Sequence, residues 1–520
     1  MSTATLPLDR SARDETTGKR ARKSARAGRK GASGKGAAGK VLTPDVCVIG
    51  AGSGGLSVAA ACASFGVDVV LIEKGEMGGD CLNYGCVPSK ALIAAGKQAH
   101  AAQTAPAFGV THGAPEIDWR KVHDHVADVQ ATIAPVDGQP RFEAMGVTVL
   151  REHARFTDKA TVEAGVHTIK ARRFVVATGS GPLVPPIEGL RDVEHFTNET
   201  VFTRTTPPGR LLVIGGGPIG MELAQAHRRL GAEVTVIEAA RVLGKDDPEL
   251  APIVADALRA EGIAMLEGAK VTRAEKVGGS IRLHLEGADV PHVEGDTLLV
   301  AVGRKAHTED LGLEAAGVET TRAGIKVSSK LRTTNRRVYA IGDVADTPGP
   351  DGSYKGGLQF THVAGYHAGL VTRAILFRLP AREDRSIIPW ATYTDPALAQ
   401  VGLSEAEARD AHKTIRVLRW PYGENDRAIA ERKTTGLIKI VTDKKGRILG
   451  VTIAGHDAGE MINIWSLAVS RKMSVKDIAG YVAPYPTMSE IGKRAATTFF
   501  QPLTRKAAAR KAIGFLQMFG

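Results

Sequence analysis

Residues 48–55 read VIGAGSGG and decide the fold of this chain. The run follows a predicted strand and opens a predicted helix, and Glu73 stands 23 residues after Gly50, at the end of the next strand. Gly50 permits the tight turn, Gly52 lets a pyrophosphate approach the backbone, and Gly55 packs the helix on the strand. The phosphate is expected at the helix N-terminus, with the Glu73 carboxylate on ribose hydroxyls. The motif therefore predicts a dinucleotide site rather than a purely structural glycine turn.

A second copy of the motif, GGGPIG, occupies residues 215–220, and Glu238 again lies 23 residues after its first glycine. A carboxylate at this place repels a 2′-phosphate, which favours NAD(H) over NADP(H). Arg241, three residues further on, keeps NADP(H) as the weaker alternative. Two dinucleotide sites in one chain indicate electron transfer between two cofactors, typically a nicotinamide and a flavin.

Short runs rich in Val and Ile alternate with helical stretches along most of the chain, a pattern typical of parallel sheets covered on both faces. From about Ser386 the pattern changes to strand-like and charged alternation, followed by a helix predicted over 460–472. We predict an α/β fold with two Rossmann-like dinucleotide-binding domains and a C-terminal α+β domain. The predicted strands are 46–49, 67–72, 174–177, 211–214, 233–237, 298–302 and 338–341, and the predicted helices include 57–65, 221–230 and 248–261.

The formal net charge of +12 on 520 residues is concentrated at one end. Eleven Lys or Arg and three acids fall within residues 1–40, which predicts a solvated, disordered basic tail and order from about Pro44. The rest has the composition of a globular protein, which excludes a fully disordered or collagen-like chain. The sequence has neither an apolar run long enough to span a membrane nor a secretory signal. We expect a cytoplasmic protein without membrane contact, whose nucleic-acid contact is limited to non-specific binding by the tail.

All four cysteines lie in the first fifth of the chain. Cys47 and Cys62 are predicted to be small buried side chains. Cys81 and Cys86 lie five positions apart in GGDCLNYGCVPSK, residues 78–90, just after the first βαβ unit. A zinc site would need two more Cys or His ligands nearby, so no metal site is predicted. A dithiol that cycles with a disulfide is favoured over a structural disulfide or a pair of inert thiols.

With these motifs the chain resembles the class I pyridine nucleotide–disulfide oxidoreductases, the family of dihydrolipoamide dehydrogenase, glutathione reductase and mercuric reductase. The resemblance runs from about residue 44 to 505 and includes ATGS at 177–180, AVGR at 301–304, IGD at 341–343 and LQFTH at 358–362. It implies bound FAD and a homodimer. It also implies a tail over 1–40, an FAD-binding and central domain over 41–185 and 305–384, an NAD(P)-binding domain over 186–304, a dimerisation domain over 385–505 and a C-terminal tail over 506–520.

The resemblance also implies roles for single residues. Cys86 becomes the flavin-side thiol and Cys81 the interchange thiol that meets the substrate. Lys90 and Glu222 match an ion pair beside the flavin, although a solvated helix residue is the alternative for Glu222. His362 and His367 share a predicted helix and face either the core or the solvent. The cofactor-binding positions implied are Gly50, Gly52, Gly55, Glu73, Lys90, Ala154, Thr178, Gly179, Gly342, Asp343, Thr361, Gly215, Gly217, Ile219, Gly220, Glu238, Val271 and Gly303.

The pattern departs from the family near the C-terminus, where the usual acid–base element is His-Pro-Thr followed by an acid. Residues 483–490 read APYPTMSE, so Tyr485 takes the histidine position and Glu490 remains the acid. A phenol with an ordinary pKa of about 10 donates a proton but is a poor base at neutral pH. The alternative for Tyr485 is an aromatic that fills a proline-rich turn. Tyrosine here resembles mercuric reductase, yet no cysteine follows Cys86, so a substrate must reach Cys81 directly.

The sequence therefore predicts an FAD enzyme that passes electrons from NADH to a Cys81–Cys86 disulfide and on to a small disulfide, a metal ion or another acceptor. We expect the active site to need a homodimer, with Tyr485 and Glu490 supplied by the second subunit. The alternative function is a flavin-containing redox sensor or a nucleic-acid-associated protein that acts through its basic tail.

Overall fold

The computed structural model describes residues 40–349 and 351–519. The predicted basic tail lies outside these residues, except for Lys40, which begins the first strand ahead of the predicted start of order at Pro44. In the described residues, the helices lack the combination of length and apolar content that a bilayer crossing requires.

The first unit is built on a parallel sheet. The strands of this part are β1 (Lys40–Leu42), β2 (Val46–Ile49), β3 (Val69–Ile72), β4 (Thr148–Leu150), β5 (Ala154–Asp158), β6 (Thr161–Ala164), β7 (His167–Ile169), β8 (Arg173–Val176) and β9 (Ser180–Pro182). Its helices are α1 (Ser53–Ser64), α2 (Gly79–Asn83), α3 (Cys86–Thr104), α4 (Trp119–Asp137) and α5 (Gln139–Ala144). All four residues of β2 are buried, as expected of a strand covered on both faces.

The second unit repeats this arrangement with a four-stranded parallel sheet and an added antiparallel one. Its strands are β10 (Arg210–Ile214), β11 (Glu233–Glu238), β12 (Ala264–Glu267), β13 (Lys270–Val277), β14 (Ser280–Glu286), β15 (His292–Gly295) and β16 (Thr297–Val300), and its helices are α6 (Pro218–Arg229) and α7 (Ala251–Ala260). The parallel sheet has the order β12-β11-β10-β16, and β13, β14 and β15 form the antiparallel one.

The chain then returns to the first sheet. This segment contains β17 (Arg304–Ala306), β18 (Ile325–Lys326), β19 (Val338–Ala340), β20 (Ala345–Asp346) and α8 (Thr361–Leu376). Strand β19 completes the parallel order β19-β8-β2-β3-β4, and β17 pairs with β9. One sheet is therefore assembled from two segments of sequence that flank the second unit.

The C-terminal part is α+β. Its strands β21 (Trp390–Thr392), β22 (Ala397–Gly402), β23 (Ile415–Pro421), β24 (Leu437–Asp443) and β25 (Ile448–Gly455) form an antiparallel sheet in the order β21-β22-β25-β24-β23. Its helices are α9 (Glu405–Ala411), α10 (Asp426–Ala430), α11 (Ala458–Ser470), α12 (Val475–Gly480), α13 (Glu490–Thr498), α14 (Gln501–Thr504) and α15 (Ala507–Leu516). The predicted fold class is confirmed.

The predicted boundaries differ from the structure mainly at the helix starts. Helix α1 begins at Ser53 rather than at 57, because the glycine-rich loop already forms its first turn. Strand β3 begins at Val69 rather than at 67, because the Val67 amide donates to the Cys62 carbonyl and closes α1. These shifts move the nucleotide loop closer to the helix N-terminus than the sequence pattern indicates.

Candidate active site

The first glycine motif forms a turn that no larger residue fits. Gly50 has φ +105°, and a Cβ there would lie 2.4 Å from the Ala177 carbonyl oxygen. A Cβ on Gly55 would lie 1.8 Å from the Gly50 carbonyl oxygen, so this glycine lets α1 approach β2. By contrast, a Cβ on Gly52 would meet nothing closer than Gly79, at 3.9 Å. The open side of the loop is therefore at Gly52, where a phosphate is expected to approach.

A cleft leads away from this turn and is lined by several of the expected cofactor-binding residues. Gly50, Glu73, Ala154 and Thr178 all line it, together with His307. Glu73 accepts hydrogen bonds from the Ala51 amide at 2.6 Å and the Gly75 amide at 2.7 Å, which fixes its carboxylate beside the loop. This shape and donor set fit the adenosine half of a dinucleotide.

Asp343 lies in the 3₁₀ turn at Gly342–Val344 and is connected to the dithiol segment. Its carboxylate accepts a 2.6 Å hydrogen bond from the Ser180 hydroxyl, and burial raises its pKa. The Arg304 guanidinium donates to the Ser180 hydroxyl at 2.8 Å and lies 3.0 Å from the Asp80 carboxylate. We call the four residues Asp80, Arg304, Ser180 and Asp343 the Arg304 chain. Asp80 directly precedes Cys81, so the Arg304 chain connects Asp343 to the dithiol segment.

His367 supports the same turn from the core side. The Gly342 amide donates to His367 Nδ1 at 3.2 Å, and His367 Nε2 lies 3.0 Å from Glu383. Both His367 and Glu383 are buried, whereas His362 is only partly covered and bonds the Pro389 carbonyl. The two histidines thus divide between core and surface, and His367 positions the backbone beside Asp343.

The second glycine motif repeats the geometry of the first. Gly215 has φ +109°, and a Cβ on Gly220 would lie 2.0 Å from the Gly215 carbonyl oxygen. Gly217 has no protein atom within 4 Å of the place where its Cβ would stand. Glu238 accepts from the Gly216 amide at 2.8 Å and is held beside the loop as Glu73 is in the first motif.

Three further expected positions belong to the second unit or follow it directly. Ile219 is the second residue of α6, Val271 is a buried residue of β13, and Gly303 follows β16 with φ +142°. Gly179 has φ +69° and ends the corresponding turn of the first unit. Ile219, Gly303 and Gly179 adjoin a helix start or the carboxyl end of a parallel strand, where a dinucleotide is bound in open α/β sheets. Val271 instead lies near the start of an antiparallel strand.

Cys81 and Cys86 face each other across the break between α2 and α3. The Cys81 thiol donates a hydrogen bond to Cys86, which lowers the pKa of Cys86 to about 6 against the effect of burial, with further stabilisation from Thr361 and Lys90. The Thr361 hydroxyl lies 3.2 Å from Cys86 Sγ. The same hydrogen bond and burial raise the pKa of Cys81. The two pKa values move in opposite directions, so Cys86 is the more acidic thiol of the pair.

The other two cysteines are fully buried, as predicted. Burial raises the pKa of Cys47 well above the ordinary value and that of Cys62 to about 11. Neither thiol forms a nucleophile near neutral pH.

Lys90 and Glu222 form an ion pair one turn beyond Cys86. The Lys90 Nζ–Glu222 Oε2 distance is 2.7 Å, and the other Glu222 oxygen accepts from the Tyr393 amide at 2.8 Å. Lys90 also lies 4.5 Å from the centre of the Tyr393 ring. Since the Glu222 side chain is only 8% exposed, the alternative of a solvated helix residue does not hold.

Tyr485 has a partner that the sequence does not reveal. Its hydroxyl donates a 2.8 Å hydrogen bond to Asp426, and that carboxylate raises the pKa of the phenol. Asp426 is the first residue of helix α10, and Asn425 caps that helix. The Asn425 side chain donates a 3.0 Å hydrogen bond to the Thr487 carbonyl, which holds the 484–487 turn. Glu490 begins α13, and its negative charge also raises the pKa of Tyr485, by less than Asp426 does. Asp426 lies 59 residues before Tyr485 and belongs to no motif, so sequence reasoning missed it.

The family described as pyridine nucleotide-disulphide oxidoreductase matches residues 44–368, and its dimerisation domain matches residues 388–496. A mercuric reductase of Lysinibacillus sphaericus is 36% identical over 459 residues, covering 88% of this chain and 82% of the relative. A dihydrolipoyl dehydrogenase of Thermus scotoductus is 37% identical over 459 residues, covering 86% of this chain and 95% of the relative. The Cu(II) complex of the HOCl-induced flavoprotein disulfide reductase RclA from Escherichia coli is 26% identical, with a TM-score of 0.77 over 87% of this chain and 99% of that chain.

Proposed function

We propose that this chain, which belongs to the pyridine nucleotide-disulphide oxidoreductase family, uses its Cys81–Cys86 dithiol to reduce thiophilic metal ions. The chain is an FAD-dependent oxidoreductase that takes electrons from a reduced pyridine nucleotide, and its dimerisation domain supports a homodimer. The acceptor, the nucleotide and the residue roles below are the proposal.

The first site fits FAD. Gly50, Gly52 and Gly55 would receive its pyrophosphate, Glu73 its ribose and Asp343 the chain that leads to the flavin. When bound, FAD supplies two-electron transfer between the pyridine nucleotide and the dithiol. Beside this site the protein holds the Lys90–Glu222 ion pair and the Cys86 thiolate in fixed positions.

NADH is the proposed electron donor. Glu238 occupies the strand end where a 2′-phosphate would lie, and its charge opposes that phosphate. Arg241 is exposed three residues further on. Steady-state kinetics with both nucleotides test this assignment: kcat/KM for NADH should exceed that for NADPH, and Glu238→Gln, which removes the charge and one of the two acceptors for the Gly216 and Ala240 amides, should narrow the difference.

The reduced dithiol is suited to a soft metal ion. Thiolates bind copper and mercury in preference to hard cations, and Cys86 already carries a thiolate while Cys81 holds the proton that metal binding would release. The electrons balance in a simple way. Two thiolates give up two electrons and form one disulfide. These two electrons reduce one Hg²⁺ to Hg⁰ or two Cu²⁺ to two Cu⁺. The reduced pyridine nucleotide then restores the dithiol.

The observation that carries this choice is the hydrogen bond from Tyr485 to Asp426. A dithiol substrate or a leaving thiolate needs a proton acceptor and donor beside Cys81, which a histidine provides near neutral pH. Tyr485, whose pKa is raised by Asp426, stays protonated and accepts no proton. A metal ion needs no such base. The names of the Lysinibacillus relative and of the copper-bound RclA structure support the same choice.

A small disulfide is the second candidate. Two observations favour it. The chain is 37% identical to the Thermus dihydrolipoyl dehydrogenase, and Glu490 stands at the acidic position of the expected acid–base element. In that case Cys81 would attack the substrate disulfide, and the protonated Tyr485 would serve the leaving thiolate only as a proton donor.

The test is an acceptor panel under steady-state NADH oxidation, with Cu²⁺, Hg²⁺, lipoamide, glutathione disulfide and a quinone. We expect the metal ions to exceed both disulfides by about ten-fold or more in kcat/KM, and Cys81→Ser to abolish the metal-dependent rate. Cys62→Ser is the matched control, because this buried thiol is remote from the chemistry and the variant should keep the rate. A faster disulfide rate, or metal reduction that persists in Cys81→Ser, would contradict the proposal.

A further inference from the structure

We infer that the C-terminal helix α15 docks this protein on the surface of an anionic phospholipid bilayer. The helix runs from Ala507 to Leu516 and continues into a 3₁₀ turn at Gln517–Phe519. Its side chains do not pack on the body of the protein, since none of the ten residues of α15 is buried. The helix also lies beyond residue 496, where the family match ends.

The apolar side chains of this segment lie on one side. At about 100° per residue, Phe515, Leu516 and Ile513 of α15 lie within an arc of roughly 160°. The Phe515 and Phe519 rings are in edge contact, with centroids 5.0 Å apart, which confirms that they share a side. These four side chains are 56–72% exposed. A chain segment that leaves two phenylalanines in water needs an apolar surface to cover them.

Basic residues border both edges of this apolar arc. Lys511 precedes Phe515 around the helix by about 40°, and Arg510 follows Ile513 by about 60°. Arg505 and Lys506 stand immediately before the helix. Residues 491–520 contain six Lys or Arg and no acid. An apolar arc between basic borders is the pattern of a helix that lies in the plane of a bilayer, with rings among the acyl chains and cations among anionic headgroups.

Charge complementarity points to an anionic surface as the occupant. The segment 491–520 carries six Lys or Arg and no acid, so it repels the same segment of a second copy in a two-fold contact. The basic residues within 1–40 act in the same direction, because each adds attraction to an anionic surface. The expectation of no membrane contact rested on the lack of an apolar span, and a helix lying on the surface needs none.

The experiment is vesicle co-sedimentation of the purified holoenzyme. Vesicles of phosphatidylcholine alone are compared with vesicles that contain about a third phosphatidylglycerol. We expect binding to the anionic vesicles only, weaker with rising salt, and about ten-fold or more weaker in Phe515→Ser. Phe108→Ser is the matched control, because Phe108 is 54% exposed on the body of the protein and its loss should leave binding unchanged.

Two further measurements separate the sources of binding. A variant without residues 1–39 should bind more weakly but remain sensitive to Phe515→Ser, since the tail adds charge and the helix adds apolar contact. Light scattering should give the same mass for wild type and Phe515→Ser. The inference is overturned by equal binding to neutral vesicles, by no binding, by a Phe515→Ser variant that binds like wild type, or by a Phe515→Ser variant that falls to a monomer, which would assign the helix to a second copy.

Discussion

The Tyr485 hydroxyl donates a 2.8 Å hydrogen bond to the Asp426 carboxylate. This contact makes the phenol a worse acid and leaves it no role as a base, because a phenolate would lie against a negative charge. Tyr485, which lies in the 484–487 turn, is thus held in its protonated form by the first residue of α10. Four predictions follow from this and from the other contacts of the site.

Asp426→Asn should lower the pKa of Tyr485. The amide still accepts the hydrogen bond but removes the charge that destabilises the phenolate. The measurement is a pH titration of ¹³Cζ-labelled tyrosine by NMR, with Tyr485→Phe to assign the signal. Glu490→Gln is the control and should produce a smaller decrease, since Asp426 has the larger effect on this phenol. An unchanged titration in Asp426→Asn would show that the contact is not formed in solution.

Tyr485→His should increase disulfide turnover. An imidazole titrates near neutral pH and supplies the missing base, which is worth roughly a hundred-fold or more where geometry is right. We expect lipoamide reduction to rise by about ten-fold or more, and metal-ion reduction to change by less than about three-fold. Tyr485→Phe, measured beside it, should leave disulfide turnover low. Equal responses of both acceptors to the histidine would argue against a base as the missing element.

Cys81→Ala should raise the pKa of Cys86 from about 6 toward the ordinary thiol value. The hydrogen bond from Cys81 is the largest stabilisation of the Cys86 thiolate, and alanine removes it. The thiolate is present above the Cys86 pKa, so the pH at which iodoacetamide reacts half-maximally with Cys86 should increase. Cys81→Ser retains a donor and should keep the midpoint closer to 6. The mass of the alkylated peptide identifies the site, and identical midpoints in the two variants would refute this account of the low pKa.

Gly217→Ala should weaken NADH binding without loss of stability. The added methyl group meets no protein atom within 4 Å but projects where the pyrophosphate is expected. Gly220→Ala is the contrasting variant, because its methyl group would lie 2.0 Å from the Gly215 carbonyl oxygen and must displace α6. We expect a normal melting temperature and a KM for NADH raised several-fold in Gly217→Ala, and a lowered melting temperature in Gly220→Ala. A normal KM in Gly217→Ala would place the nucleotide elsewhere.

The sequence predicted those features of the site that depend on local pattern. Gly50 and Glu73 lie within one βαβ unit, so the loop and the carboxylate that faces it follow from spacing. The Lys90–Glu222 pair joins two motifs 132 residues apart, and resemblance to a family was needed to connect them. The parallel character of the sheets was predictable because buried parallel strands are continuous apolar runs.

Other contacts depend on tertiary structure alone. His367 reaches the Gly342 amide only because α8 packs beneath the turn, and no periodicity in α8 identifies which histidine does so. Asp426 is an acidic residue in a short helix of the C-terminal domain. Nothing in the sequence distinguishes it from the many aspartates that lie in solvent. Pairs of this kind are separated by long stretches of chain and carry no motif, so only the folded coordinates reveal them.

The Arg304 chain has a consequence for how such an enzyme diversifies. Arg304 links the Asp343 turn to Asp80, so this turn and the segment that carries the two cysteines are held together. Tyr485 bonds Asp426 and the 484–487 turn is bonded by Asn425, and neither of these two residues bonds any of those four through the hydrogen bonds described above. Substitutions at positions 425, 426 and 485 can therefore accumulate without disturbing the contacts of Arg304.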